Sequence, residues 1–311
     1  MKAAQINEYG DASVIQLNDI DTPELKPGQV LVEVHASSLN PFDTAIRSGM
    51  YKDMMPVQFP ATLGGDIAGV ITEVASDVSS VAIGDKVYGQ ANAVAGNSGA
   101  LAEYAATAAG QVAKAPEDLD FQQAASLPLV GVSALQALTQ HIALQPNQKI
   151  FISGGAGGIG TVAIQIAKHI GAYVATTASG DGLDYATQLG ADEVIDYKAQ
   201  DFTELLSGYD AVFDTVGGDE FAKTLGILKQ GSVAVTMAAQ PDEAKAAELG
   251  VTAIHQMTQV TTAALDELRQ LIEQGVVTPH IDKVFPLAEV VEAFTARETS
   301  SVKGKVVIAV R

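Results

Sequence analysis

The sequence predicts an α/β protein of two domains, one β-rich and one a doubly wound parallel sheet suited to a dinucleotide. Three observations carry this. At 311 residues the chain suits two cores of about 150 residues better than one. Residues 1 to about 115 alternate short β-type runs with Gly, Pro and Asp turns, whereas the stretch from about 119 alternates helical patterns with apolar strands. Inside that second stretch, Phe151-Ile152-Ser153-Gly154-Gly155-Ala156-Gly157-Gly158-Ile159-Gly160 runs straight into Thr161-Val162-Ala163-Ile164. This is strand, glycine turn and helix in succession.

In chain order, Met1 to Asn7, Gln29 to Ala36, Ala68 to Val74 and Asp85 to Gly89 read as strands of the first domain. In the second, Lys149 to Ser153, Ala172 to Thr176, Glu193 to Asp196, Ala211 to Asp214 and Ser232 to Thr236 are near-continuous apolar strands, which implies burial on both faces. Helical periodicity over Ala156 to Ile170, Leu183 to Leu189 and Phe221 to Leu228 separates them, so the crossovers should be right-handed. Ala264 to Gln274 reads as an amphipathic helix stopped at Gly275, Val284 to Leu287 as the start of a helix-bearing segment, and Gly304 to Val310 as a closing strand. The tail is expected to rejoin the first domain. This gives 1–118 with 264–311 as one unit and 119–263 as the other.

Gly155, Gly157 and Gly160 fit the G-x-G-x-x-G spacing, which makes a tight turn, admits a pyrophosphate to the backbone and lets helix pack closely on strand. The helix start adds unpaired N–H donors and a positive dipole end. A net charge of −19 disfavours nucleic acid and anionic membrane surfaces. With no Cys, disulfides, thiolate nucleophiles and cysteine zinc sites are excluded, and the five His show no metal-binding spacing. No apolar run reaches membrane-spanning length, and Met1 to Asn7 lacks the apolar core of a signal peptide, so the expectation is a cytoplasmic protein.

With these motifs placed, the chain resembles the zinc-free quinone oxidoreductase branch of the medium-chain dehydrogenase/reductase superfamily. The carriers are Ser37 to Gly49, Leu63-Gly64-Gly65-Asp66-Ile67-Ala68-Gly69-Val70, Ala124 to Pro128, the glycine turn, Leu189-Gly190-Ala191-Asp192, Ile195-Asp196-Tyr197 and Asp214-Thr215-Val216-Gly217-Gly218. The resemblance implies a GroES-like catalytic domain and a Rossmann nucleotide domain, with a homodimer formed through edge strands. Where zinc-dependent relatives carry a Cys and the His of a G-H-E segment, this chain has Asn40 and Gly65. It therefore implies metal-free hydride transfer to an acceptor that is already electrophilic, a quinone or an α,β-unsaturated carbonyl.

By the same resemblance, Asn40 and Asp43 form an N-x-x-D element at the nicotinamide end of the site, with local turn chemistry as the alternative. Tyr51 stands where relatives place an aromatic, as a candidate hydroxyl donor or an edge-of-core tyrosine. Ser133 replaces a threonine on the cofactor side, or serves as a helix cap. Gly155, Ala156, Gly157, Gly158, Ile159 and Gly160 form the pyrophosphate turn, and Val216, Gly217 and Met237 lie at carboxyl ends of strands, where open α/β sheets bind ligands. No metal ligand is expected.

An NAD site places an acid about twenty residues past the first glycine. Here Ala175 to Gly180 has none, and the resemblance makes Ser179 and Tyr197 neighbours of a 2′-phosphate, which favours NADPH. Asp181 follows where many relatives have a base, and this leaves NADH use open. Two other functions fit the same fold: an enoyl thioester reductase, and a nucleotide-binding redox sensor without turnover.

Overall fold

The computed structural model describes residues 1–311. Its contacts divide the chain into two compact units, one of residues 1–129, 260–273 and 279–311, the other of 130–259 and 274–278. The sequence reading set its first boundary at 118/119. The intervening Phe121–Ala125 helix, capped by Asp120 accepting from the Gln123 N–H, packs on the Gln29–Leu39 and Asp66–Val74 strands and so belongs with the first unit.

The first unit holds two sheets. A small antiparallel one has the order Gln16–Asp19, Lys2–Ile6, Ala61–Thr62. The larger one runs Ile281–Pro286, Lys305–Ala309, Gln29–Leu39, Asp66–Val74, Lys86–Gln90, Val112–Lys114, with Tyr104–Ala108 also paired to the Gln29–Leu39 strand. The central strand is buried along most of its length because sheet partners and packed elements cover it, so it reads as a run of Val and Leu rather than an alternation. Ile6, Leu39, Leu101, Phe294, Val306 and Ile308 form one apolar cluster; Val30, Val32, Ile67, Ile71 and Val87 form another.

The tail departs from its reading in one respect. Val284 to Pro286 close the Ile281–Pro286 strand, parallel to Lys305–Ala309, and helix begins only afterwards, as a 3-10 turn at Leu287–Glu289 followed by Val290–Thr299. Strand pairing outweighs the local pattern there, and Pro286 fits because it sits at the end of an edge strand.

The second unit is a six-stranded parallel sheet in the order Glu193–Asp196, Tyr173–Ala178, Lys149–Ser153, Tyr209–Asp214, Leu228–Thr236, Thr252–His255. Counted along the unit this is 3-2-1-4-5-6, with the order reversing on either side of Lys149–Ser153. That reversal is where such sheets receive dinucleotides. Phe151, Val212, Phe221 and Leu225 lie in its apolar cluster. The helix expected over Phe221 to Leu228 is Gly218–Thr224 with a 3-10 turn at Leu225–Ile227, because Leu228 already pairs in the sheet.

Candidate active site

In the second unit, the Lys149–Ser153 strand ends in a turn made by the backbone. Gly154 takes φ 72°, a left-handed conformation open mainly to glycine, and so lies one residue ahead of the spacing motif. Gly157 is the N-cap of the Gly158–Ile170 helix and no side chain caps it. The N–H groups of that first turn therefore point outward without side-chain competition. A Cβ on Gly160 would stand 2.2 Å from the Gly154 carbonyl oxygen, so this helix start touches the strand end only because the residue is glycine. Ala156, Gly157, Gly158 and Ile159 are partly accessible, while Gly155 and Gly160 are buried beneath them.

The neighbouring strand ends are tied by Asp214, which is fully buried. Its carboxylate accepts from Ser153 Oγ at 2.6 Å, Thr236 Oγ1 at 2.7 Å, and the N–H groups of Val216 and Gly217 at 3.2 and 3.0 Å. The Met237 N–H donates to the Asp214 carbonyl at 3.0 Å. Three carboxyl ends are thus held level, with Val216 exposed and Met237 half-buried at the rim. On the other side of the glycine turn, Ser179 Oγ donates to Tyr197 Oη at 3.1 Å, and both residues reach solvent. Asp181 takes the N-cap position of Gly182–Gln188.

Ser133 lies inside the Pro128–Leu135 helix and not at its cap. It is wholly buried, its Oγ 2.7 Å from Thr258 Oγ1, while Gln256 Nε2 donates to its carbonyl at 3.0 Å.

In the first unit the groups are side chains, and they are charged. Asn40 is the N-cap of Pro41–Ser48, and its backbone N–H donates to Asp43 Oδ2 at 2.7 Å. Its side-chain amide is engaged elsewhere: Nδ2 donates to Asp66 Oδ2 at 2.8 Å and Oδ1 accepts from Lys305 Nζ. Asp66 is fully buried and also accepts from Ser38 Oγ at 3.1 Å, Gln90 Nε2 at 3.2 Å and the Leu129 N–H at 3.1 Å. Lys305 Nζ lies 3.6 Å from Asp66 Oδ2 and donates to the Leu39 carbonyl at 3.0 Å. Burial lowers the Lys305 ammonium from its usual range, opposed by the negative charge of Asp66 and Asp43. Burial likewise pushes the Asp43 carboxyl up, to about 7, against the hydrogen bond from Asn40.

Tyr51 is half-buried in the turn after this helix, its ring 6.2 Å from that of Phe42. Arg47 is a structural residue, paired with Glu298 at 2.7 Å and lying over the Phe294 ring.

Asn40 and Asp43, expected from the sequence, thus belong to one cluster whose other members, Asp66 and Lys305, the sequence did not single out, nor did it single out Asp214 in the second unit. A lysine heading the apolar run Val306-Val307-Ile308 was a visible sign, since a lysine is almost never fully buried without a partner.

Residues 26–117 match the family described as Alcohol dehydrogenase GroES-like domain, and 189–308 the one described as Zinc-binding dehydrogenase. The chain is 36% identical to an NADPH-dependent alkenal/one oxidoreductase, chloroplastic, of Arabidopsis thaliana, over 99% of this chain and 79% of that protein. It superposes on the quinone oxidoreductase of Coxiella burnetii with TM-score 0.89 and 35% identity, covering 100% and 99% of the two chains. The chain belongs to the quinone oxidoreductases of the medium-chain dehydrogenase/reductase superfamily. A further member of similar structure is the Escherichia coli quinone oxidoreductase complexed with NADPH, at TM-score 0.91, 25% identity and full coverage of both chains.

Two groups implied by this family can be tested against the residues present. Zinc does not fit: no three His, Cys, Asp or Glu side chains come together as a ligand set, and Cys is absent. NADPH does fit, because the glycine turn ends in a helix start that no side chain caps, a turn whose close packing requires that Gly160 carry no Cβ. No helix is long and apolar enough to cross a membrane.

Proposed function

We propose that the chain is an NADPH-dependent, zinc-independent reductase of quinones and α,β-unsaturated carbonyls. The observation that carries it is the backbone cradle at Gly154 to Gly160, opened by the closest strand-to-helix approach that glycine allows. When bound, NADPH supplies hydride at its nicotinamide ring. The N–H groups of Gly158 and Ile159 would hold the pyrophosphate, with no competing side-chain cap, while the Gly157 N–H closes the turn on the Gly154 carbonyl at 3.0 Å. The hydroxyls of Ser179 and Tyr197, already hydrogen-bonded to each other, would take the 2′-phosphate. Val216, Gly217 and Met237, levelled through Asp214, would line the remaining strand ends, and Ser133, its hydroxyl paired with that of Thr258, would support the cofactor side from within.

Asn40, Asp43 and Tyr51 form the acceptor side of the reading. Asn40 acts through the groups it joins, since its amide links Asp66 to Lys305 and leaves one Nδ2 hydrogen for a ligand. An acceptor that is electrophilic by itself needs no metal to polarise it, in keeping with the absence of a donor set. The reading also includes a homodimer and a cytoplasmic setting, which sedimentation and cell fractionation test.

The deciding assay follows NADPH and NADH oxidation separately with 1,4-benzoquinone, 9,10-phenanthrenequinone and a simple enone. NADPH turnover with at least one acceptor, resistant to EDTA, is the expected result. No oxidation with any acceptor overturns the enzyme, and loss restored by zinc overturns the metal-free chemistry.

A further inference from the structure

Reduction of a quinone or enone takes up a proton as well as a hydride, and the residue that supplies this proton can be sought in the first unit. Gly65 marks the place. Its neighbour Gly64 has φ 90° and would drive a Cβ to 2.7 Å from Leu101 Cγ, so glycine is required there by conformation and by packing. Gly65 has neither reason. A Cβ on it would meet only ordinary contacts, and these are polar: Asn92 Nδ2 at 3.5 Å, Asp43 Oδ1 and Gln90 Nε2 at 3.8 Å.

A cavity of about 10 Å³, room for one water, is independently lined by Asp43, Asn92 and Thr62 with Ile46, Val57 and Leu63 as its apolar wall. Asp43 and Asn92 belong to both descriptions. The two oxygens of Asp43 are therefore distinct: Oδ2 accepts the Asn40 N–H inside the helix cap, and Oδ1 faces the space left open at Gly65, while the residue itself lines the cavity.

We propose that Asp43 holds, on Oδ1, the proton taken up by the reduced acceptor, and passes it on by way of the cavity that Asp43 lines with Asn92 and Thr62. This rests on the proposed reductase activity. The Oδ1–H bond breaks and the proton goes, by way of one cavity water, to the quinone oxygen or to the enone α-carbon. Hydride from NADPH supplies the electron pair, NADPH is oxidised, and the acceptor gains one hydride and one proton. Asp43 is left as a carboxylate and is reprotonated from solvent.

The surroundings suit both states. Facing Asp43 are Asp66 on the Asp66–Val74 strand, Lys305 on the Lys305–Ala309 strand and Arg297 on the Val290–Thr299 helix; Arg47 on its own helix is occupied by Glu298. Burial and Asp66 favour the acid, while the two cations stabilise the carboxylate left behind. With the carboxyl poised at about 7, the acid is available at neutral pH and is readily refilled.

The test compares wild type with Asp43→Asn, which keeps an oxygen for the Asn40 N–H. Acceptor-dependent kcat is measured between pH 5.5 and 9, and the unfolding midpoint of the cofactor-free protein between pH 4 and 9. A donor must carry its proton, so wild-type kcat should fall as pH rises through about 7, and Asp43→Asn should be about a hundredfold slower at low pH without that fall.

The native carboxyl is raised from 3.8, so wild-type stability should decline from about pH 4 to about pH 7 and level above, a decline that Asp43→Asn lacks. An unchanged profile and rate in Asp43→Asn, or a flat wild-type profile, overturns the inference. Should Asp43→Asn not fold, Gly65→Val sets an apolar side chain against Asp43 Oδ1 and Asn92 and leaves every charge in place: NADPH binding by fluorescence should persist while the rate falls, and a full rate overturns the inference. A wild type inactive with every acceptor is instead a failure of the proposed function.

Discussion

In the unit holding Gly154 to Gly160, what is offered to a ligand is backbone, and the one buried carboxylate, Asp214, accepts only neutral hydroxyls and N–H groups. In the unit holding Asn40 to Gly65, side chains take that place: two buried carboxylates and a buried ammonium all bond to Asn40, with Asp66 and Lys305 on its side chain and Asp43 on its backbone N–H. The first arrangement binds an anion without bringing any formal countercharge into the interior. The second keeps charge inside the protein and can therefore hold or release a proton. A chain of net charge −19 can thus accept an anionic cofactor by local dipoles while the buried ammonium and its carboxylates are gathered in a separate cluster.

The contrast is broken most severely at Lys305. Replacing it with Met leaves Asp66 buried without its ammonium, and removal of one partner from such a pair destabilises by about 3–5 kcal/mol. Urea unfolding should show this loss in Lys305→Met, and the double variant with Asp66→Asn should recover most of it. A Lys305→Met protein within about 1 kcal/mol of wild type would mean that the cluster does not depend on the pair. The backbone half is tested at Gly160. Valine there requires the helix start to move from the strand end, so NADPH affinity should drop on the order of a hundredfold, about 2.7 kcal/mol, with the circular dichroism spectrum retained. Unchanged affinity would show that the cradle tolerates a side chain.

A smaller effect is expected at Thr236, whose Oγ1 donates to Asp214 and accepts the Ala238 and Ala239 N–H groups at 3.2 Å. Thr236→Val keeps the shape and removes these bonds, which should lower stability by about 1–3 kcal/mol. NADPH affinity should weaken alongside, because the strand ends it levels carry Met237 and Val216. Stability lost with affinity intact would separate the two roles.

The two units also differ in how far they can be read from the chain alone. The glycine turn is local: ten consecutive residues fix strand, turn and helix, so spacing is enough, and five of the six parallel strands follow from the alternation around it, while the edge strand Thr252–His255 and the strand order do not. The tail was read less well, since Val284 to Pro286 form a strand by pairing with residues some twenty positions later. The charged cluster draws on residues 40, 43, 66 and 305, and no spacing rule joins Lys305 to Asn40 across 265 positions. Asn40 shows the limit well. The residue is legible, but its side chain is turned to Asp66 and Lys305, which the antiparallel pairing of Gln29–Leu39 with Asp66–Val74 on one side and with Lys305–Ala309 on the other brings within reach.

The finest test of a backbone-built site is the one position where side chains enter it. Ser179 and Tyr197 carry hydroxyls bonded to each other that would donate to phosphate oxygens under the proposed reading, and neither carries charge. Ser179→Asp should turn that point into an acceptor for a ribose 2′-hydroxyl and repel a 2′-phosphate, moving preference toward NADH by about tenfold, or 1.4 kcal/mol. Asp181→Lys should act in the opposite sense from the N-cap of Gly182–Gln188, strengthening NADPH with little effect on NADH. The ratio of kcat/KM for the two cofactors reads both. Unchanged ratios in both variants would put the determinant elsewhere. A response of Ser179→Asp alone would show that the hydroxyl pair sets the preference while Asp181 serves only its helix.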